Sequence, residues 1–334
     1  MAAKISDVAA KAGVSVGTVS NVLNGRSTVS EHIAARVRAA VDELRYVRND
    51  AARQLRAGRS RMLALIVHDA GNPFFAEIAR GAEQRAADDG YVVLLCSSAQ
   101  DEDRERLYIE QFQQQRVAGV LIAPSSASSR AVTDLVEQGT AVVVVDEETD
   151  IPGVGTVSVD DVEGGYLAAS HLLGLGRRNL IYVSGPRGVR QVADRLEGAR
   201  RAVGEVAGAG LEVVETPALT VLDGRDAGER LLQRAEVPDA VFAANDLLAL
   251  GVLQALTMTG RVRVPEDVAL IGYDDIDFAA AAVVPLSSIR QSATSMGYRA
   301  VDILLHDISG ASQTLERNVQ FRPSVVARAS TVGP

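Results

Sequence analysis

From residue 62 onward the chain alternates between two hydrophobic patterns. Short runs of Val, Ile, Leu and Ala without polar alternation occur at 62–67, 91–96, 119–123, 141–145, 180–183, 240–244 and 268–271. Between most of them lie stretches with apolar residues at helical spacing, such as 75–88, 104–115 and 165–173. A strand buried on both faces has no polar side to show. Uninterrupted apolar runs separated by helices therefore predict a parallel sheet covered on both faces, an α/β architecture. About 270 residues of such units exceed one comfortable core, so two similar halves are expected.

The first sixty residues follow a different rhythm. Val8, Ala12, Val14, Val19 and Val22 recur at helical spacing on either side of Gly13, with small Ala9 among them. Two short helices that cross closely need that pattern: alanine permits the approach, glycine takes the left-handed turn, and Val14 fills the corner. Ser15 is placed to cap the second helix. Ser30 is placed to cap a third, whose apolar face is Ile33, Val37, Ala40, Val41 and Leu44. Residues 48–61 are polar, arginine-rich and interrupted by Gly58, which marks a linker.

Charge sharpens the division. The chain has 334 residues, with 34 Lys+Arg against 43 Asp+Glu and a formal net charge of −9. Residues 1–61 nevertheless hold eleven basic and five acidic side chains, a net +6, which leaves −15 on the remainder. A small basic module on a large acidic body predicts a polyanion-binding head joined to a body that binds something else. Helix-turn-helix spacing with that charge points to DNA. RNA fits poorly, because aromatics are 4% of the chain and Tyr46 is the head's only base-stacking ring.

Other classes find little support. The single thiol, Cys96, excludes an intramolecular disulfide, disfavours a cysteine zinc site and suits a reducing cytoplasm. No apolar run reaches the roughly 18 residues of a membrane span, and residues 1–11 lack a signal-peptide apolar stretch, so no membrane partner is expected. His32, His68, His171 and His306 are scattered, and Asp274-Asp275-Ile276-Asp277 lacks the glycine and terminal glutamate of a calcium loop. No metal or cofactor is expected. Gly13-Val14-Ser15-Val16-Gly17 matches the G-x-S-x-G nucleophile elbow, but that elbow must follow a strand inside a large sheet. With no nucleophile, base and orienter assembled elsewhere, catalysis is not expected.

Ile5-Ser6-Asp7-Val8-Ala9, Ala12-Gly13-Val14-Ser15 and Thr18-Val19-Ser20-Asn21-Val22-Leu23-Asn24 resemble the lactose-repressor/galactose-repressor family of bacterial transcription regulators. Asn49-Asp50-Ala51-Ala52-Arg53-Gln54-Leu55 is similar to that family's hinge helix. Asn72-Pro73-Phe74-Phe75, Gly185-Pro186, Asn245-Asp246 and Gly272-Tyr273-Asp274-Asp275 are similar to its effector domain. The resemblance implies a helix-turn-helix headpiece over residues 1–46, a hinge helix and linker over 47–60, and a periplasmic-binding-protein-like body over 61–334. Its two doubly wound lobes would be 61–160 with 292–322, and 161–291 with 323–330. Three crossovers, near Asp160, Gln291 and Pro323, would join them.

The resemblance also implies that the second helix enters the major groove. Val16, Gly17 and Asn21 would be its base readers, Val16 touching a thymine methyl and Asn21 an adenine or a phosphate. Gly17 departs from the usual polar reader and offers no side chain. Thr18, Ser20, Asn24 and Ser30 read as phosphate positioners. A hinge of about nine residues is marginal as an isolated helix. It is expected to order when two copies meet on DNA, wedging paired Leu55 side chains into the minor groove with Arg53 and Arg56 near phosphates.

In open parallel sheets, ligands sit beyond the carboxyl ends of the strands. Those ends are rich in hydroxyls, carboxylates and amides, with Phe74 and Phe75 nearby, a mixture suited to a polyhydroxylated ligand. The family match adds Arg195 and Gln291. The expected effector site is Phe74, Asp146, Asp160, Arg195, Asn245, Asp274 and Gln291. The expected partners are a double-stranded palindromic operator, a small-molecule effector of carbohydrate type and a second copy of the chain. Without a leucine-heptad tail before Pro334, a tetramer is not expected. The competing reading is an intracellular sugar-binding protein, or a sugar-processing α/β enzyme, with an incidental basic head.

Overall fold

The computed structural model describes residues 3–23, 29–46, 60–125, 130–311 and 315–333. It forms two compact units, Met1–Ser60 and Arg61–Pro334. In the first, α1 (Ile5–Ala12), α2 (Val16–Leu23) and α3 (Glu31–Glu43) pack around Val8, Ala9, Ala12, Val19, Val37 and Ala40. Gly13 ends α1 at φ +61°, and Val14 N–H donates to the Ala9 carbonyl at 3.0 Å, closing the turn. Two expectations for α3 need correction. Ile33 is only half-buried, while Ala34 is buried. Ser30 holds the N-cap position in extended backbone, but its hydroxyl makes no capping hydrogen bond.

The body contains two six-stranded sheets among its described residues. The first is built from β1 (Met62–Val67), β2 (Val92–Ser97), β3 (Gly119–Ile122), β4 (Ala141–Val145), β5 (Gly155–Val159) and β11 (Asn318–Phe321). Its spatial order is β11-β5-β4-β3-β1-β2, all parallel. The second comprises β6 (Asn179–Ser184), β7 (Gly210–Glu215), β8 (Ala240–Ala243), β9 (Ala269–Asp274), β10 (Ser287–Arg290) and β12 (Ser324–Val326). Its order, β12-β10-β9-β8-β6-β7, repeats the first position for position, except that β12 pairs antiparallel with β10. The chain is thus two copies of one doubly wound plan, each with a switch point beside its first strand. It passes between the sheets three times: after β5, between β10 and the helix at Ala293–Ser309, and between β11 and β12.

Helices α4 (Pro73–Asp88), α5 (Glu102–Gln114) and α6 (Arg130–Glu137) serve the first sheet. Helices α7 (Asp161–Gly174), α8 (Arg190–Gly204), α9 (Val221–Leu232), α10 (Asp246–Met258) and short α11 (Asp277–Ala281) serve the second. Long α12 (Ala293–Ser309) returns to pack on α4 and the first sheet, and α13 (Ala329–Val332) closes on the second. Val, Ile and Leu from β1, β3 and β4 are fully buried, as a strand covered on both faces requires. The run at 91–96 is the exception. It forms an edge strand, exposed at Val92 and Leu95, and not a buried one.

Candidate functional site

The outer face of α2 is the first site. Ser15 caps the helix: its Oγ accepts from Thr18 N–H at 3.1 Å and lies 2.9 Å from Thr18 Oγ1. Capping aims the opening turn outward, leaving Val16 and Gly17 exposed, while Val19 one turn on anchors the opposite face in the core. Ser20 and Asn21 are half-buried on the same short helix, and Thr18 is partly committed to Ser15. Gly17 is open. A Cβ there would meet only Ser15 Oγ, at an ordinary 3.6 Å. Nothing steric requires glycine, so the missing reader is a matter of what the helix presents and not of its packing. Asn24, Arg53, Leu55 and Arg56 lie outside the described residues.

The second site is a cavity of about 280 Å³ at the carboxyl ends of both sheets. Repetition of the fold shapes it. Asp146 follows the fourth strand of the first sheet in chain order, and Asp274 ends the equivalent strand of the second. Both adopt left-handed backbone, with φ +67° and +106°. A non-glycine residue held there stores strain of about 1–3 kcal/mol and persists only where the surroundings over-determine it, a condition that clusters at ligand sites. Each carboxylate lines the cavity. Phe74 and Asn72 come from the first turn of α4, where Asn72 caps the helix by accepting from Phe74 N–H at 3.0 Å.

The polar wall is tied together behind the surface. Arg195, buried on α8, donates through Nε to Asp161 Oδ1 and through Nη1 to the Ala244 carbonyl, both at 2.7 Å, and lies 3.6 Å from the centre of the Tyr273 ring. Burial works against that charge, yet the carboxylate of Asp161 holds the guanidinium protonated beyond its ordinary range. Asn245 caps α10, accepting from Leu248 N–H at 2.9 Å. Gln191 Nε2 donates to Asp146 twice, to its carbonyl at 2.9 Å and to Oδ2 at 3.1 Å. Phe74, Phe75, Pro186, Val189, Val192 and Leu219 supply the apolar part of the lining.

Burial pushes the Asp274 carboxyl up to about 7, with Arg195 and the Gln291 hydrogen bond pulling it back. Burial, reinforced by Asp161, also holds Asp146 well above the carboxylate range, against the pull of Arg195. His68 is pushed down to about 4 by burial and is therefore neutral at pH 7. Among the described residues no group of His, Cys, Asp and Glu has the geometry to hold a metal. The cavity combines what a small polar ligand needs: carboxylates, an amide and a guanidinium together with aromatic and aliphatic carbon in one lining.

Of the seven effector residues expected from sequence, Phe74, Asp146, Arg195, Asn245 and Asp274 converge on this cavity. Two do not. Asp160 is the N-cap of α7, accepting from Glu163 N–H at 2.9 Å, and it lines an adjacent cavity. A strand-to-helix junction needs a cap, and the cap geometry turns the carboxylate onto its own helix. Gln291 is fully buried and does not line the cavity; its Nε2 donates to Asp274 Oδ1 at 2.6 Å. The sequence reading missed Gln191 and His68. Gln191 carried a usable signal as the opening turn of a helix after a strand, while His68 directly follows β1.

A three-helix DNA-reading head and a two-lobed body with a polyol-sized cavity together define a ligand-responsive DNA-binding protein. Comparison with known proteins agrees. Residues 4–49 match the family model "Bacterial regulatory proteins, lacI family", and residues 169–331 match "Periplasmic binding protein-like domain". The chain is 34% identical over 333 residues to the ribose operon repressor of Escherichia coli strain K12, covering 98% of this chain and 99% of that one. Its fold overlays the lac repressor dimer bound to operator and the anti-inducer ONPF with a TM-score of 0.87, at 26% identity and 99% coverage of both chains. It also overlays a ribose-bound LacI family regulator from Enterococcus faecium, with a TM-score of 0.73 at 30% identity, covering 82% of this chain and 99% of that one.

This chain belongs to the lacI family of bacterial regulatory proteins: it is a DNA-binding transcription regulator with a ligand-binding domain, and not an enzyme. No helix among the described residues is long and apolar enough to cross a membrane.

Proposed function

We propose that this protein acts in the cytoplasm as a homodimeric repressor, reading a palindromic DNA operator and released or recruited by a sugar. The observation that carries the sugar reading is that Asp146, Asp274, Arg195, Asn245 and Phe74 all line one cavity. Carboxylates accept from vicinal hydroxyls, the guanidinium and amide donate, and the ring covers the C–H face of a pyranose or furanose. The ribose bound to the Enterococcus faecium regulator and the operon named for the Escherichia coli relative favour the same ligand class. Asp160 and Gln291 act at one remove, as helix cap and as support for Asp274.

On the DNA side, Val16, Gly17 and Asn21 face the bases, while Thr18, Ser20, Asn24, Ser30, Arg53 and Arg56 position the backbone. Leu55 wedges the central step. DNA contact by the head is supported by the basic charge of residues 1–61 and by the exposed first turn of α2. Domain limits follow the sequence reading: head 1–46, hinge and linker 47–60, body 61–334.

The test is a thermal-shift screen of pentoses, hexoses, disaccharides and nucleobases, followed by gel-shift titration of inverted-repeat and scrambled duplexes. A sugar hit that changes operator affinity about 5–150-fold is the expected outcome, matching a coupling of roughly 1–3 kcal/mol. A nucleobase hit alone would remove the sugar reading. Leu55→Ala should cut operator affinity sharply and leave sugar binding intact; unchanged affinity would sink the wedge.

A further inference from the structure

Beyond the Asp146–Gln191 bridge lies another cavity, of about 220 Å³, walled by the loop after β4, the first turns of α7 and α8, and Gln320 of β11. We propose that it is a second ligand site, one that takes a primary ammonium group on a short alkyl chain. Six carboxyl side chains line it against one guanidinium, that of Arg190. Five of the six are engaged at one oxygen or both, Asp146 through Oδ2, which accepts from Gln191 Nε2 at 3.1 Å. Glu148 accepts from Gln320 Nε2 at 3.0 Å, Asp160 caps α7, Asp161 holds Arg195, and Asp194 faces Arg190 Nε at 3.5 Å.

The remaining acceptors point to a ligand. Glu147 Oε2, Asp146 Oδ1 and Gln191 Oε1 have no hydrogen-bond partner among the described residues. All three side chains are more than nine-tenths buried, at 8%, 7% and 6% exposure, and all three border this cavity. A buried acceptor without a donor costs stability, and a buried carboxylate without a counter-charge costs more. An ammonium group answers both deficits: it brings three N–H donors and a positive charge on a flexible stem. A metal ion answers them less well, because no set of three ligating side chains among the described residues has the geometry to hold one.

The electrostatics agree with this geometry. Burial pushes the Glu147 carboxyl up to about 7, and the Arg190 guanidinium offsets only part of that effect. Arg190 is divided between Asp194 and the Glu148 carbonyl, which its Nη1 reaches at 3.4 Å. The walls come from residues after strands of both sheets, so an occupant would bridge the two halves next to the sugar cavity, with which it shares Asp146 and Gln191. Glu147 does not line that first cavity, which makes the two sites separable by mutation.

The test uses the full-length protein at pH 8 and constant ionic strength, with butylammonium, butanol and magnesium titrated by calorimetry. Butylammonium should bind saturably, butanol should not, and Glu147→Gln should weaken the ammonium at least tenfold while keeping wild-type sugar and operator affinities. Arg190→Gln removes the competing guanidinium and should tighten ammonium binding, a gain that misfolding cannot imitate. The proposal is overturned if butylammonium gives no saturable signal, if butanol binds as well, or if either variant leaves ammonium affinity unchanged. Saturable magnesium binding that excludes butylammonium would overturn it in favour of a metal. A protein that binds butylammonium but no sugar would fail the sugar reading alone.

Discussion

Asp274 shows how one residue carries several constraints at once. It ends β9 with φ +106°, is buried, and has Gln291 donating to it at 2.6 Å. Its folded value of about 7 lies above the ordinary 3.8, so between those values the folded state keeps a proton that the unfolded chain has lost. Stability should therefore fall as pH rises from about 4 to about 7, and Asp274→Asn should flatten that part of a denaturation-versus-pH curve. Sugar binding should run the other way, since only the carboxylate accepts two hydroxyls. Calorimetry at pH 6 and pH 8 should show tighter binding at pH 8, by up to about tenfold per unit below the folded value. Gln291→Leu removes a donor to the ionised form and should shift that profile to higher pH; a profile identical to wild type would deny Gln291 its role. Gly17 supports a different prediction at this scale. Because a Cβ there meets only Ser15 Oγ at 3.6 Å, Gly17→Gln should leave the melting temperature unchanged and add a base contact. Selection from a randomised operator library should reveal a new preference at one position per half-site, worth about 1–3 kcal/mol.

At the scale of elements, the sequence exposed the central strands and edge strand β2, and hid the other edges. Strands β1, β3, β4, β8 and β9 are buried on both faces and read as apolar runs. Strand β7, Gly-Leu-Glu-Val-Val-Glu, and β11, Asn-Val-Gln-Phe, sit at sheet edges where one face meets water, and their polar residues broke the run. Strand β5 was missed although it is fully buried, because Thr156 and Ser158 interrupt its hydrophobicity while satisfying their hydroxyls internally. The site was legible to the same degree. Residues that directly end a strand, such as Asp146 and Asp274, could be read off; Gln191 could be placed in the opening turn of a helix, but its contact with Asp146 depends on how the two halves meet. Close helix crossings depend on similar long-range facts. Gly198 of α8 faces α7, where an added Cβ would lie 1.8 Å from the Val162 carbonyl oxygen. Backbone cannot yield as a side-chain tip does, so Gly198→Ala should cost about 3 kcal/mol or more, the upper end of overpacking effects. Urea denaturation measures the loss. Because Arg195 sits on the same helix, sugar affinity should fall with it; a stable variant with normal affinity would mean that the crossing is looser than the geometry states.

At the scale of the whole molecule, charge separates two tasks. Residues 1–61 carry +6 and the remaining residues −15, so a protein with pI ≈ 5.1 and net charge −9 is nonetheless expected to bind a polyanion. The explanation is that counterion release depends on the cations at the contact and not on the mean charge. Each lysine or arginine against a phosphate frees a condensed counterion, whereas acidic groups more than a Debye length away, about 10 Å at 0.1 M salt, are largely screened. The number of contacts then reports the number of heads engaged. A dimer making about ten phosphate contacts should lose operator affinity with a log–log salt slope near −9, and a single head should give about half that slope. Fluorescence anisotropy with an inverted-repeat duplex between 50 and 200 mM KCl distinguishes the two. A slope near −4 on the inverted repeat would place one head on the DNA and remove the paired arrangement. A slope indifferent to salt would leave the basic charge of the head without a role and return the competing reading, a sugar-binding body with an incidental basic segment.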